Sequence, residues 1–178
     1  MVVLLTISTT AQPASDLGYL LHKHPSRLQS FEVSAGMAHV FYPEATDVRC
    51  TAALLLEVDP IALVRGRSGP AGEGFALGQY VNDRPYAASS LLSVALARVF
   101  RTALTGRCDA RPELAEPALP LEIELPAVPC RGGGALVREV FEPLGWRVET
   151  ATTALDEQFP AWGESRYVGV RLRGELRL

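Results

Sequence analysis

The chain has 178 residues, 48% of them hydrophobic and 21% charged, and a formal net charge of -3. A chain of this size buries one core, or two small subdomains that share one. Its basic residues are arginines apart from the single Lys23 and are balanced by 20 acidic groups, so overall charge gives no drive toward nucleic acid or an anionic membrane, and any such binding has to be local.

The opening "MVVLLTISTT" lacks a basic leader segment and turns polar at Thr6, which reads as a buried first strand over Val2–Ser8 and not as a secretory signal. No apolar run reaches the length of a membrane span. In "SDLGYLLHKHP", Ser15 or Asp16 can cap a short helix that Pro25 must end. Two strands follow, "SFEVSAGMAHVFYP" and "CTAALLLEVDP", and complete a first block over residues 1–64.

Residues 65–111 differ in character. "VRGRSGPAGEGF" is too rich in glycine for regular structure. Beyond it Asp83 stands at an N-cap position and Pro85 in a first turn, where its missing N–H costs nothing. The helix so started runs to about Leu104 and stops at Gly106. Leu92, Leu96, Val99 and Ala103, widened by Leu91, Val94 and Ala95, cover more than half its circumference, so it is buried on more than one side.

A Pro-rich tether, "CDARPELAEPALPLE", leads into a second block over 112–178. "LPLEIELPAVP" is a strand, "GGGALVREVFEPLGW" a helix, and "RVETATTAL" and "RYVGVRLRGELRL" are strands. The order of the first block recurs roughly 120 residues later. The expected fold is α/β, of the α+β kind: a mixed sheet from two βαββ-like blocks joined by a central buried helix. Each right-handed crossover should set its two strands parallel, each closing hairpin should be antiparallel, and the helices should share one face. The clean alternation of the final strand up to Leu178 suggests one domain of a longer protein. Cys50, Cys108 and Cys130 form no C-x-x-C, which argues against a disulfide framework or zinc ribbon and makes the cytoplasm the default location.

Catalytic signals are weak. His22 and His24, two apart on a helix, would point to nearly opposite sides and cannot readily grip one ion; His39 is the other histidine. "PCRGGGALV" stands between strand and helix, where backbone amides can cradle an anion, but lacks P-loop spacing. Cys130 beside Arg131 has no histidine near it in sequence. Glu122 and Glu124 alternate with leucines, as a solvated strand face does. Arg171, Arg173 and Arg177, with Arg65, Arg67 and Arg131, are candidate RNA or anion contacts, or else charges that guard an edge strand. The loop "QYVNDRPY" offers Gln79, Tyr80, Asn82, Asp83, Arg84 and Tyr86, residue types common in protein-binding hot spots, although they serve equally as a capped helix start.

The strings "DLGYLLHKHPSRLQSF", "AHVFYPEA", "CTAALLLEVDP", "QYVNDRPYAASSLLSVALARVF", "PCRGG" and "FEPLGW" together resemble the N-terminal half of the bacterial RNA 3'-terminal ribose 2'-O-methyltransferases, from about Leu4 to Leu178. The resemblance implies a non-catalytic domain that docks on a polynucleotide kinase-phosphatase-ligase and activates its ligase step in RNA repair. S-adenosylmethionine and a divalent metal would belong to the C-terminal half of such a protein, so no cofactor is expected in this half, and RNA is reached through the complex. The alternative is an RNA-binding module that positions the cleaved RNA end.

Overall fold

A computed structural model describes residues 2–34, 36–58, 85–156 and 158–178, with the backbone alone for 85–89. Seven strands form one sheet: β1 (Val2–Thr9), β2 (Gln29–Val33), β3 (Gly36–Ala45), β4 (Cys50–Val58), β5 (Leu119–Pro129), β6 (Arg147–Ala154) and β7 (Glu164–Leu176). Their spatial order is β2-β3-β4-β1-β5-β7-β6. Among the described residues three α-helices accompany them: α1 (Leu17–Leu20), α2 (Pro85–Val99) and α3 (Gly133–Phe141).

The α+β class and the two blocks are as expected, but every neighbouring pair of strands is antiparallel. In the second block β5 and β6 do run parallel; β7 returns between them and pairs with both. The first block repeats this plan, with β4 inserted between β1 and β3. What differs there is the stretch 30–43, expected as a single strand. It folds at Ser34 into a β2–β3 hairpin, and the added reversal restores the same parity. The duplicated pattern is thus a split crossover rather than adjacent parallel strands, and the two copies meet along β1 and β5.

Register puts the apolar residues on one face. Val40 pairs with Leu54 and Leu54 with Leu5; Ile7 pairs with Ile123, Ile123 with Leu172, and Leu172 with Val148. Leu17 and Leu21 at α1, and Leu92, Ala95 and Val99 of α2, pack over the first half of this face, as their helical spacing predicts. Val137 of α3 covers the second half with Val148, Val168, Val170 and Leu172. Gly134 makes that approach possible, because a Cβ there would lie 2.4 Å from the Thr150 hydroxyl oxygen.

Local ends differ from expectation in two ways. Neither Ser15 nor Asp16 caps α1: the Ser15 hydroxyl donates to Asp47 at 3.0 Å and Asp16 pairs with Arg111 at 2.7 Å, so tertiary partners outcompete the local amides. The central helix ends at Val99, and a separate 3-10 turn, Ala103–Thr105, carries the chain to Gly106, whose φ of 67° supplies the expected left-handed stop.

Candidate functional site

The described helices all pack on the apolar side. On the second block the opposite side holds a chain of charges. Alternation sends Glu122, Glu124, Arg171 and Arg173 there, and the register sets Ser8, Glu122, Arg173 and Arg147 in one row and Thr6, Glu124, Arg171 and Glu149 in the next. Arg173 bonds Glu122 and reaches Glu149 at 2.7 Å; Arg171 bonds Glu124 and lies 3.7 Å from Glu149. Arg49 enters from the turn before β4, 2.8 Å from Glu122 and 3.5 Å from Glu44. Three guanidinium groups and four carboxylates form one connected network across four strands and a turn.

Glu122 is its centre. The hydrogen bond from Arg173 and then that from Arg49 hold its carboxyl below the usual carboxylate range, against the opposing effect of partial burial. Arg173 is correspondingly raised, first by its bond to Glu122. A carboxylate held ionised between two arginines is unsuited to general acid work at neutral pH. The arrangement is suited to rigid cross-strand pairing and to polar recognition of another surface.

The remaining candidates scatter. Arg177 donates twice to the Ala115 carbonyl, at 3.2 and 3.0 Å, and pins the Pro-rich tether. Arg131 is exposed beside the start of α3, where the Cys130 thiol donates to the Gly133 carbonyl at 3.3 Å. His22 and His24 do not lie on a helix: α1 has ended at Leu20, and His22 has a positive φ of 54°. They serve different partners, His22 the Arg107 carbonyl and His24 the Ser26 hydroxyl and amide. His39 lies 3.6 Å from Glu57. Arg65, Arg67, Gln79, Tyr80, Asn82, Asp83 and Arg84 lie outside the described residues, and Tyr86 stands in the first turn of α2. Among the described residues no three His, Cys, Asp or Glu side chains gather as a metal site would require.

Three features escaped the sequence reading. A cleft of about 580 Å³ opens beside α1 between Tyr19, His22, Lys23, His24, Ser26 and Ala110. Lys23 projects its ammonium toward the Phe31 and Phe100 rings, 5.2 and 5.7 Å from their centroids, and burial pushes its pKa down. Arg49 and Glu149 complete the charge network, which only the strand register reveals. The third is a stacked aromatic pair, Phe159 and Trp162, in the β6–β7 connection; two aromatics flanking Pro160 and followed by Gly163 were its available signal.

Comparison with known proteins decides the family. The sequence profile described as "RNA repair, ligase-Pnkp-associating, region of Hen1" matches residues 3–178. The chain belongs to this family. Six solved chains match. One, from the "Structure of the Pnkp1/Rnl/Hen1 RNA repair complex", gives a TM-score of 0.55 at 12% identity over 97% of this chain. A second, from the "Structure of Pnkp1/Rnl/Hen1 complex", gives 0.54 at 12% identity and the same coverage. At that identity they support the fold. The chain spans 38% of the length of either neighbour. Among curated proteins nothing matches.

Proposed function

We propose that this chain is the partner-docking region of an RNA-repair protein: it binds a polynucleotide kinase-phosphatase with an RNA ligase domain and activates the ligase step. The observation that carries this reading is the family match along residues 3–178, a family described by its association with the ligase and kinase-phosphatase. The structure offers a rigid sheet whose open side bears fixed, alternating charges, a pattern that gives orientation and partner choice to a protein contact. Because Arg171 and Arg173 are already matched by carboxylates, the same strand has little charge to give to a phosphate chain. Activation requires only that the region bind the sealing-competent arrangement of the ligase more tightly than its alternatives. Methyl-donor and metal chemistry belongs, in this reading, to the length of the relatives that the chain does not span.

The test mixes the chain with the kinase-phosphatase-ligase and a nicked RNA and follows sealing with and without it. Co-elution of a complex together with sealing that depends on the chain is expected. Unchanged sealing and separate elution refute the reading. Within it, Tyr80→Ala with Arg84→Ala should abolish activation if the loop before α2 makes the contact; if that pair seals normally while Arg171→Glu with Arg173→Glu does not, the contact lies on the charged face instead.

A further inference from the structure

We infer that the end of the sheet where β5 finishes and β7 begins is a stacking platform for single-stranded RNA. Phe159 and Trp162 stack on each other with ring centroids 4.9 Å apart and an interplanar angle of 16°. Both are more than half exposed, at 52% and 62%, so their stacking leaves outer ring faces in water. The loop that carries them is closed by the Leu155 amide donating to the Gly163 carbonyl at 3.0 Å, with Ala154 and Glu164 paired beneath it. The Trp162 amide also donates to the Phe159 carbonyl at 3.0 Å and the Gly163 amide to the Pro160 carbonyl at 3.0 Å, so the backbone between the two rings is already fixed before they meet a base.

At the same end of the sheet, Tyr167 is 42% exposed and the Arg166 guanidinium lies over its ring at 6.0 Å. The Arg166 carbonyl accepts from the Cys130 amide at 3.2 Å, which brings the exposed Arg131 to the same corner. Neither Arg131 nor Arg166 has an ion-pair partner among the described residues, in contrast to Arg171 and Arg173. Unmatched arginines beside open aromatic faces are what a flexible polyanion with flat bases requires. A duplex hides those bases. Asp156, which accepts from the Gln158 amide, Glu157 and Glu164 outnumber the two arginines, so net charge does not draw a polyanion to the corner. Affinity should thus come mainly from stacking, with at most two phosphates neutralised. This surface is separate from the charged network and goes beyond the docking reading, which can stand or fall without it.

The chain contains two tryptophans, so Trp146→Phe leaves Trp162 as the sole indole reporter. We expect a single-stranded oligoadenylate to quench its emission saturably, a duplex of equal length to quench little, and Phe159→Ala to weaken binding roughly fivefold or more. The affinity should fall with salt at a log–log slope of about -1.4, and Arg131→Gln with Arg166→Gln should flatten it. Absence of saturable quenching, equal quenching by the duplex, or a slope indifferent to both arginines overturns the proposal. If Phe159→Ala and Trp162→Ala instead abolish co-elution with the kinase-phosphatase-ligase and RNA does not quench, the rings contact protein and the RNA assignment is wrong. Unaltered thermal melting of these loop variants serves as the folding control.

Discussion

The two halves of the sheet share one connection plan and differ in how they are filled. Around β4, a buried cluster of seventeen of the described residues is sealed by α1, α2 and the turn that follows α2. Around β7, Val137 of the nine-residue α3 closes over four buried strand residues among those described, and the opposite face is tied by the arginine–glutamate network. The same topology is therefore held in two ways: by excluded water in one half, and by a thin core plus cross-strand charge in the other. Strand order follows from how the chain reverses, whereas resistance to unfolding follows from how much apolar surface each half removes from water.

The sharpest way to break this comparison is to cut both cores. Leu54, fully buried in the first half, should cost about 3–4 kcal/mol as Leu54→Ala, while Val170→Ala in the second should cost about 2 kcal/mol. Denaturant melts would read both. Hydrogen exchange should also find the amides of β6 opening at lower free energy than those of β4. Equal costs together with uniform protection would show that the halves do not differ as described.

Gly134→Ala separates helix propensity from packing. Alanine favours the isolated helix by about 1 kcal/mol, but its Cβ would meet the Thr150 hydroxyl at 2.4 Å. Net destabilisation of about 1–2 kcal/mol is expected, relieved in the double variant with Thr150→Ala. A stabilised single variant would mean that α3 is free to shift on the sheet.

Smaller again is the electrostatic contribution. Glu122→Gln leaves Arg49 and Arg173 weakly matched and should cost about 1 kcal/mol at neutral pH. Because the folded-state pKa of Glu122 is depressed, the stability it contributes is present above its ordinary carboxylate range and is lost as pH falls through the lower folded value. The acid limb of a stability-versus-pH curve should therefore be shallower in Glu122→Gln. An unaltered limb would remove the network from the account of the second half.

The smallest effect is alkaline. Burial, and then the charge of Glu44, push the Cys50 thiol up to about 11, so its neutral form favours folding below its ordinary range and that contribution fades as pH climbs toward the raised value. Cys50→Ala should flatten this limb in thermal melts taken across the range. In the folded protein a thiol reagent should reach Cys130, which is partly exposed, well before the buried Cys50 or Cys108.

The strands of the second block were legible because alternation of leucine with glutamate or arginine reports one buried face directly. Stretch 30–43 was not: Ser34 and the following Ala-Gly give a weak turn signal inside an apolar run, so the pattern predicts one strand where β2 and β3 form a hairpin. The cap at Asp16 was misjudged for a different reason. Its partner Arg111 is 95 residues away, and no local pattern reports so distant a competitor. The charge network was half visible, in Glu122, Glu124, Arg171 and Arg173. Arg49 and Glu149 join it only through register, which pairs β1 with β5 and β6 with β7. For Gln79 to Arg84, which lie outside the described residues, the protein family supports a contact role for the domain without choosing those side chains.

The seam between the halves bears on synthesis. β1 meets β5 through four pairs, Thr6 to Thr9 against Glu124 to Leu121, and the Thr9 hydroxyl bonds the carbonyl of Pro120, 111 residues further along. While the ribosome makes that intervening length, the first half can close β4 onto β1, but the far side of β1 has no mate. A nascent strand waiting in that state is open to the wrong neighbour. Its waiting edge ends in Thr6, Ser8 and Thr9, hydroxyl-bearing side chains that tolerate water until the correct strand emerges.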